Sequence, residues 1–323
     1  MGSYVFNRAV HGVLLAFAVS VFTFALLELA PGKYLDELKA NPNISPQTIS
    51  LLKTRYGLEQ SLPVRYERWF KSAVRGDFGL SLAYNTPVSS LLLPRAKNTI
   101  ILTGLATMLA WMIAIPLGIW SSAGRSSWRG HMVETATSSL LVIPEMILAV
   151  ACLWIAVRTH AFPVGGMTST QFAELSWWAK TKDLASHLAV PVTVLALGML
   201  PVLVRHVRSS MIEVLSTPFI RAARAHGIPR RWVLMRYAFP AAANPLISLL
   251  GFSLAGLLSA SMLVEVVMGW PGLGPLLLDA ILARDVYVVI GAVMLSSVLV
   301  IFANLVADLL LYGADPRIRS GAS

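Results

Sequence analysis

The chain has 323 residues, 56% of them hydrophobic and only 13% charged, with a mean hydropathy of +0.69. Soluble domains carry about 25% charged residues, so this composition points to a bilayer and excludes an ordinary soluble fold. The net charge of +10 would suggest nucleic acid in a soluble protein, but here the bases sit in the gaps between apolar runs and track membrane topology; no nucleic-acid partner is implied.

A helix crosses about 30 Å of hydrocarbon in about 20 residues. The apolar runs predict an all-α membrane protein with six spans, at about 10–29, 98–120, 133–157, 187–204, 240–265 and 286–311. Only Arg8 precedes the first, and no small-residue cleavage site follows it closely, so it reads as a retained helix. The long loop after it has structure of its own. Ser45-Pro46 reads as N-cap and first helical residue, with Gly57 as the stop and Ile49, Leu52 and Tyr56 on one face. A second helix, about 63–75, places Tyr66, Trp69, Phe70 and Ala73 together, and Gly76 ends it. Both are expected on the outer membrane surface or capping the bundle.

Lys and Arg in the short loops orient the spans. One side carries Arg8, then Arg125 and Arg129, then the run from Arg205 to Arg236, then Arg317 and Arg319. The short loops opposite hold only Arg158, Lys180, Lys182 and Arg284. Both termini are therefore expected in the cytoplasm, and the loop after the first span outside it.

Span three contains "LVIPEMILAV", with Glu145 about midway and directly after Pro144. An acid at that depth costs about 2.5–3.5 kcal/mol on insertion scales if it faces lipid, so it faces the bundle interior, a partner or water. Two readings stand: a protonated Glu bonded to a carbonyl freed by Pro144, or a cavity-facing carboxylate that meets a cationic group of a solute. Glu265 is expected at the wet outer mouth of span five, a second candidate for the solute pathway. Glu134 with His131 reads as a solvated or lipid-facing pair, and Asn304 with Asp308 as groups that hold neighbouring helices.

The stretch "FIRAARAHGIPRRWVLMRYAFP" (219–240) is basic, has no acid and interrupts the apolar pattern. Thr217 can cap a helix beginning at Pro218, and Gly227 supplies a left-handed stop before Pro229. The helix between is about nine residues, or roughly 13 Å, too short to span and too short to be stable unless something holds it. Ala222, Ala223 and Ala225 keep its surface small, which permits close approach. From the residues alone, a lipid-phosphate contact loop and a docking helix are equally good readings.

Ala222-Ala223-x-x-x-Gly227 and the gap to Pro240 resemble the cytoplasmic "EAA" loop of ABC-importer permeases. Arg221 stands where the general motif has Glu, and Tyr237 and Phe239 replace later aliphatic positions; these departures suit the peptide and nickel permeases. The resemblance extends through "ELAPG", "RYGLEQSLPVRYERW", "RGDFGLS", "RAKNTIILT", "VEVVMGWPGLGPLLLDAILARDVYVV" and "NLVADLLLYGADPRIR", nearly the whole chain. It looks like the B-type permease of dipeptide and oligopeptide importers. That resemblance implies a type I importer fold, with residues 1–95 as first helix plus extracytoplasmic helical loop, 96–312 as permease domain and 313–323 as cytoplasmic tail. It implies coupling to an ATPase through Pro218, Arg221, Ala222, Ala223, Arg224 and Gly227. It also implies a homologous second permease, two ATPase subunits, an extracytoplasmic solute-binding protein and the bacterial inner membrane. Peptides, a nickel chelate or glutathione would be the solute.

The chemistry missing from the sequence agrees. No G-x-x-x-x-G-K-[ST] occurs, so ATP would be bound by partner subunits and the chain itself needs no cofactor. The glycines of "GWPGLGP" read as a turn at the mouth of the pathway. Cys152 lies in an apolar run, no HExxH occurs and the histidines never pair at i, i+4, so no metal site is expected. An intramembrane enzyme would need a nucleophile–base pair or a metal cluster at one depth, and none is apparent. A secondary transporter would give the docking loop no purpose.

Overall fold

The computed structural model describes residues 2–29, 47, 60–122 and 128–314. The expected helix at 46–57 (apart from residue 47), Arg125 and the tail with Arg317 and Arg319 lie outside these. Among the described residues the regular elements are helices, apart from one isolated bridge between Leu80 and Pro87. Five helices among the described residues are long and apolar enough to cross a membrane, or six if one bent pair counts as a single span.

In chain order, α1 (Gly2–Leu29) covers the expected first span, and α2 (Leu62–Ala73) falls where its aromatic pattern put it. Gly76, at φ +84°, turns the chain after α2. α3 (Val88–Ser121) begins well before residue 98. The third span departs from expectation: it is not one helix but two, α4 (Trp128–Val142) and α5 (Glu145–Thr159), bent by 97° at the break. Pro144 is the cause, since it has no N–H to donate and its ring disfavours helical geometry at Ile143. α6 (Trp177–Leu215) has 39 residues against the expected 187–204. At 1.5 Å per residue it is about 58 Å long.

A short helix, α7 (Pro218–Ala225), follows. A helical turn (Arg230–Trp232), a π-helical stretch (Val233–Ala238) and another turn (Phe239–Ala241) then lead into α8 (Ala243–Val267). The π geometry precedes Pro240, which cannot donate to the carbonyl of Arg236. Gly269, at φ +61°, turns the chain within the stretch expected to turn, and α9 (Leu273–Leu282) follows in the connection between the last two spans. α10 (Val286–Ala314) matches the sixth span.

The chain divides into two compact units. One comprises Phe6–Thr99 and Pro271–Leu299. In it, Tyr66, Trp69 and Phe70 of α2 pack on Phe17 and Phe24 of α1, with ring centroids 5.5–6.5 Å apart. The Ser20 hydroxyl, fully buried, lies 2.8 Å from the Tyr66 hydroxyl, which gives a polar group on an apolar helix its partner. Stretches far apart in sequence lock together here. Asp285 is fully buried and accepts from Ser81 Oγ at 2.6 Å and from the backbone N–H of Ala83 at 3.0 Å. It also accepts from Val288 N–H in the first turn of α10, at 3.3 Å. Asn98 Nδ2 donates to Pro271 O at 2.8 Å, and Thr99 Oγ1 accepts from Leu273 N–H, the first of α9, at 2.9 Å.

The other unit comprises Met1–Val5, Ile100–Trp270 and Val300–Ser323. Its helices pack around Trp111, Leu203, Val207, Met211 and Leu246, and the indole N–H of Trp111 donates to Ser253 Oγ at 3.0 Å. Two crossings leave no room for a side chain. A β-carbon at Gly118 would lie 2.5 Å from Val207 Cγ1, and one at Gly251 would lie 2.1 Å from Ala307 Cβ. Backbones approach this closely because dispersion, not the hydrophobic effect, holds helices together in lipid. Gly251→Ala should therefore force α8 and α10 apart, costing about 1–3 kcal/mol. The purified protein in detergent should lose its monodisperse peak at a lower temperature than wild type.

Candidate functional site

α7 has the local grammar its sequence promised, with one difference. Thr217 has extended N-cap geometry (φ −71°, ψ 152°), and Pro218 opens the helix. The threonine hydroxyl does not cap, however: it donates backwards to Val214 O at 2.6 Å. At the other end Gly227 has φ +74°. Its N–H donates to Arg224 O at 3.0 Å and that of Ile228 to Ala223 O at 3.3 Å, a Schellman closure that needs the left-handed glycine.

One side chain fixes this helix to the bundle. Ile220 is fully buried and sits in the same cluster as Val207, Met211, Val233 and Ala238. Arg221, Ala222, Arg224, Ala225, His226 and Gly227 are exposed, and Phe219 is 49% exposed. Ala223 is half-buried. The result is a short rigid knob with a basic, small-residue outer surface, held by one apolar anchor and joined by two residues to the end of α6.

The two acids assigned to the solute pathway lie on other elements. Glu145 is the first residue of α5, at the break, where the helix N-terminus favours a negative charge. It is half-buried, and Oε1 lies 3.3 Å from where a β-carbon would stand on Gly198 of α6. The hydrogen bond to a freed carbonyl is not found: among the described residues its carboxylate makes no hydrogen bond or ion pair. Glu265 departs from expectation. It is fully buried rather than open at a wet mouth, on a stretch of chain where Val264, Met268 and Trp270 are buried as well.

Glu134, expected with His131 as a solvated or lipid-facing pair, is exposed and has a partner on another helix. Its Oε2 accepts from Arg208 NH1 of α6 at 3.0 Å, and Arg208 Nε donates to Ser121 O at the end of α3, at 3.4 Å. Gly130 makes the space, since a β-carbon there would lie 2.8 Å from Arg208 NH2. Sequence reasoning treated Arg208 only as a topology marker; a tie across 74 residues leaves no local signal. Among the described residues no group of His, Cys, Asp and Glu could hold a metal ion.

Long apolar helices, a short basic helix joined to the end of one of them and a glutamate at a break in another describe a polytopic membrane protein. The comparisons give the family. Residues 1–103 match the N-terminal region of binding-protein-dependent transport system membrane components, and residues 114–320 the binding-protein-dependent transport system inner membrane component. The chain belongs to this family, the permease subunits of ABC importers, and is a transport subunit, not an enzyme. It is 32% identical to the oligopeptide transport system permease protein AppB of Bacillus subtilis, over 99% of this chain and 100% of that one. It is 31% identical to the glutathione transport system permease protein GsiC of Escherichia coli K12, over 99% of each. A chain of the MetNI methionine ABC transporter, solved in inward-facing conformations, shares the fold with a TM-score of 0.59 at 18% identity. That likeness covers 70% of this chain and 96% of the other.

Arg208→Ala should loosen the junction of α3, α4 and α6, leaving Glu134 without its cation. Thermal unfolding of the purified protein should begin several degrees earlier, whereas Glu134→Gln, which keeps a neutral acceptor, should shift it about half as far.

Proposed function

We propose that this permease carries peptides or closely related small solutes inward across the bacterial inner membrane by alternating access. ATP hydrolysis in separate subunits reaches it through residues 218–227. The observation that carries the coupling role is the anatomy of α7: Ile220 anchors it while Arg221, Ala222 and Arg224 are presented outward. A surface of small and basic side chains on a Schellman-closed helix suits a groove on a cytoplasmic ATPase. The peptide assignment rests on end-to-end likeness to an oligopeptide permease; likeness to a glutathione permease favours small peptides as the second reading.

The assembly is read as this chain with a homologous second permease, two ATPases and an extracytoplasmic solute-binding protein. The bent pair α4–α5 counts as one span in this reading, which makes six with both termini cytoplasmic. Residues 1–95 form the first helix and an extracytoplasmic helical loop, 96–312 the permease domain and 313–323 a cytoplasmic tail. Closure of the ATPases moves α7, and α6 carries that movement into the bundle.

Two variants test the coupling in the assembled, reconstituted transporter. Gly227→Val meets no atom within 4 Å but demands positive φ from a β-branched residue. Ala223→Arg places a long cation at the expected close contact. Both should insert normally and lose solute-stimulated ATPase activity; normal stimulation in both would rule the coupling role out.

Glu145 is proposed as the carboxylate that meets the amino group of the solute, because it lacks an internal partner at a break in the span. Glu265 is a pathway residue only if the bundle opens around it, since it is buried in this conformation. Glu145→Gln should keep ATPase coupling and lose uptake of cationic solutes more than that of neutral ones. Equal uptake of both would leave it a structural role alone.

A further inference from the structure

α4 carries more polarity than a membrane-spanning helix normally tolerates, and that polarity is sorted. Gly130 and Val133 are buried against the bundle, with Thr137 and Leu140 beside them on that face. Trp128 and Met132, 64% and 56% exposed, form an apolar outer edge. Between these, His131, Glu134, Thr135, Ser138 and Ser139 follow the i, i+3, i+4, i+7, i+8 spacing of one face. All five are exposed, and with Val142 they line an open groove of about 490 Å³.

Three environments could cover this face. Hydrocarbon is disfavoured, since a carboxylate and a run of hydroxyls would find no hydrogen-bond partners there. A close protein interface fits poorly as well. Glu134 stays 58% exposed even while paired to Arg208, and burying a charged pair further costs desolvation that charge-depleted interface cores avoid. Water costs nothing to either charge and satisfies the hydroxyls.

We propose that this face of α4 is a hydrated wall of the solute route, offering hydroxyl and imidazole hydrogen bonds to the peptide groups of a passing solute. The proposal rests on the importer reading and adds the surface along which solute moves. It sets one face of α4 against water and the neighbouring Met132 edge against lipid.

Thiol reactivity tests it in the assembled transporter in proteoliposomes. In a Cys152→Ala background, Thr135→Cys, Ser138→Cys and Ser139→Cys are compared with Met132→Cys, using a charged, membrane-impermeant methanethiosulfonate reagent. Serine-to-cysteine exchange alters one atom and threonine-to-cysteine removes one methyl besides, so insertion is retained. Thiolate forms in water and is suppressed in apolar surroundings, so the three stripe cysteines should react about tenfold or more faster than the Met132 position. Bound peptide should slow them. Equally slow labelling at all four positions, or fast labelling that peptide leaves unchanged, would overturn the proposal. Peptide uptake by the Cys152→Ala parent reports on the importer reading separately: uptake with an unreactive stripe sinks the wall and leaves the importer standing.

Discussion

Hydrocarbon supplies no hydrogen bonds, and each irregularity in this protein answers to that fact. A backbone or side-chain polar group within a span must find a partner in the protein or a wet cavity. Ser20 finds Tyr66, Trp111 finds Ser253, and buried Asp285 collects three donors at the start of α10. Where backbone bonding is broken, at Ile143-Pro144, a carboxylate without an internal partner stands at the new helix start. Such a break survives in a membrane only where protein or water surrounds it.

The same constraint divides labour between α6 and α7. α6 is long enough to cross the hydrocarbon and continue beyond it, so its end can carry a polar element that no span could hold. α7 has too few residues to be stable alone. Burial of Ile220 in the cluster around Met211 supplies the missing stabilisation and leaves the remaining surface available. Arg208, about two turns before the end of α6, ties that helix to α3 and α4 by charge-assisted bonds.

Much of this was legible in the sequence because the signals are local. Apolar runs gave the spans, the spacing of Tyr66, Trp69, Phe70 and Ala73 gave α2, and Pro218 with Gly227 gave both ends of α7. What failed was either non-local or ambiguous. Pro144 marked a weakness, but a proline in a span can kink a helix or end it, and only packing decides between a bend and the observed 97° break. The extra length of α6 lies in polar flanks that hydropathy cannot assign. Glu265 was placed by its position along α8, whereas its exposure depends on which neighbours fold over it. Asp285 meets Ser81 across 204 residues, so neither stretch announces the other, although both lie in the stretches that carried the family resemblance.

The junction between α6 and α7 has a mechanical consequence. Only Ser216 and Thr217 separate the two helices, and both are stitched into them. Ser216 N–H bonds Glu213 O, Thr217 N–H bonds Val214 O, and Thr217 O receives Arg221 N–H, at 3.0–3.2 Å. No slack residue lies between, so the junction behaves as a stiff elbow rather than a tether. In the coupling role proposed for α7, torque on the knob would reach a rod of about 58 Å without being absorbed in a loop. Gly118 seats α3 against that rod at Val207, close to its α7 end, so in that role a small tilt of the knob would become a larger sweep at the far end.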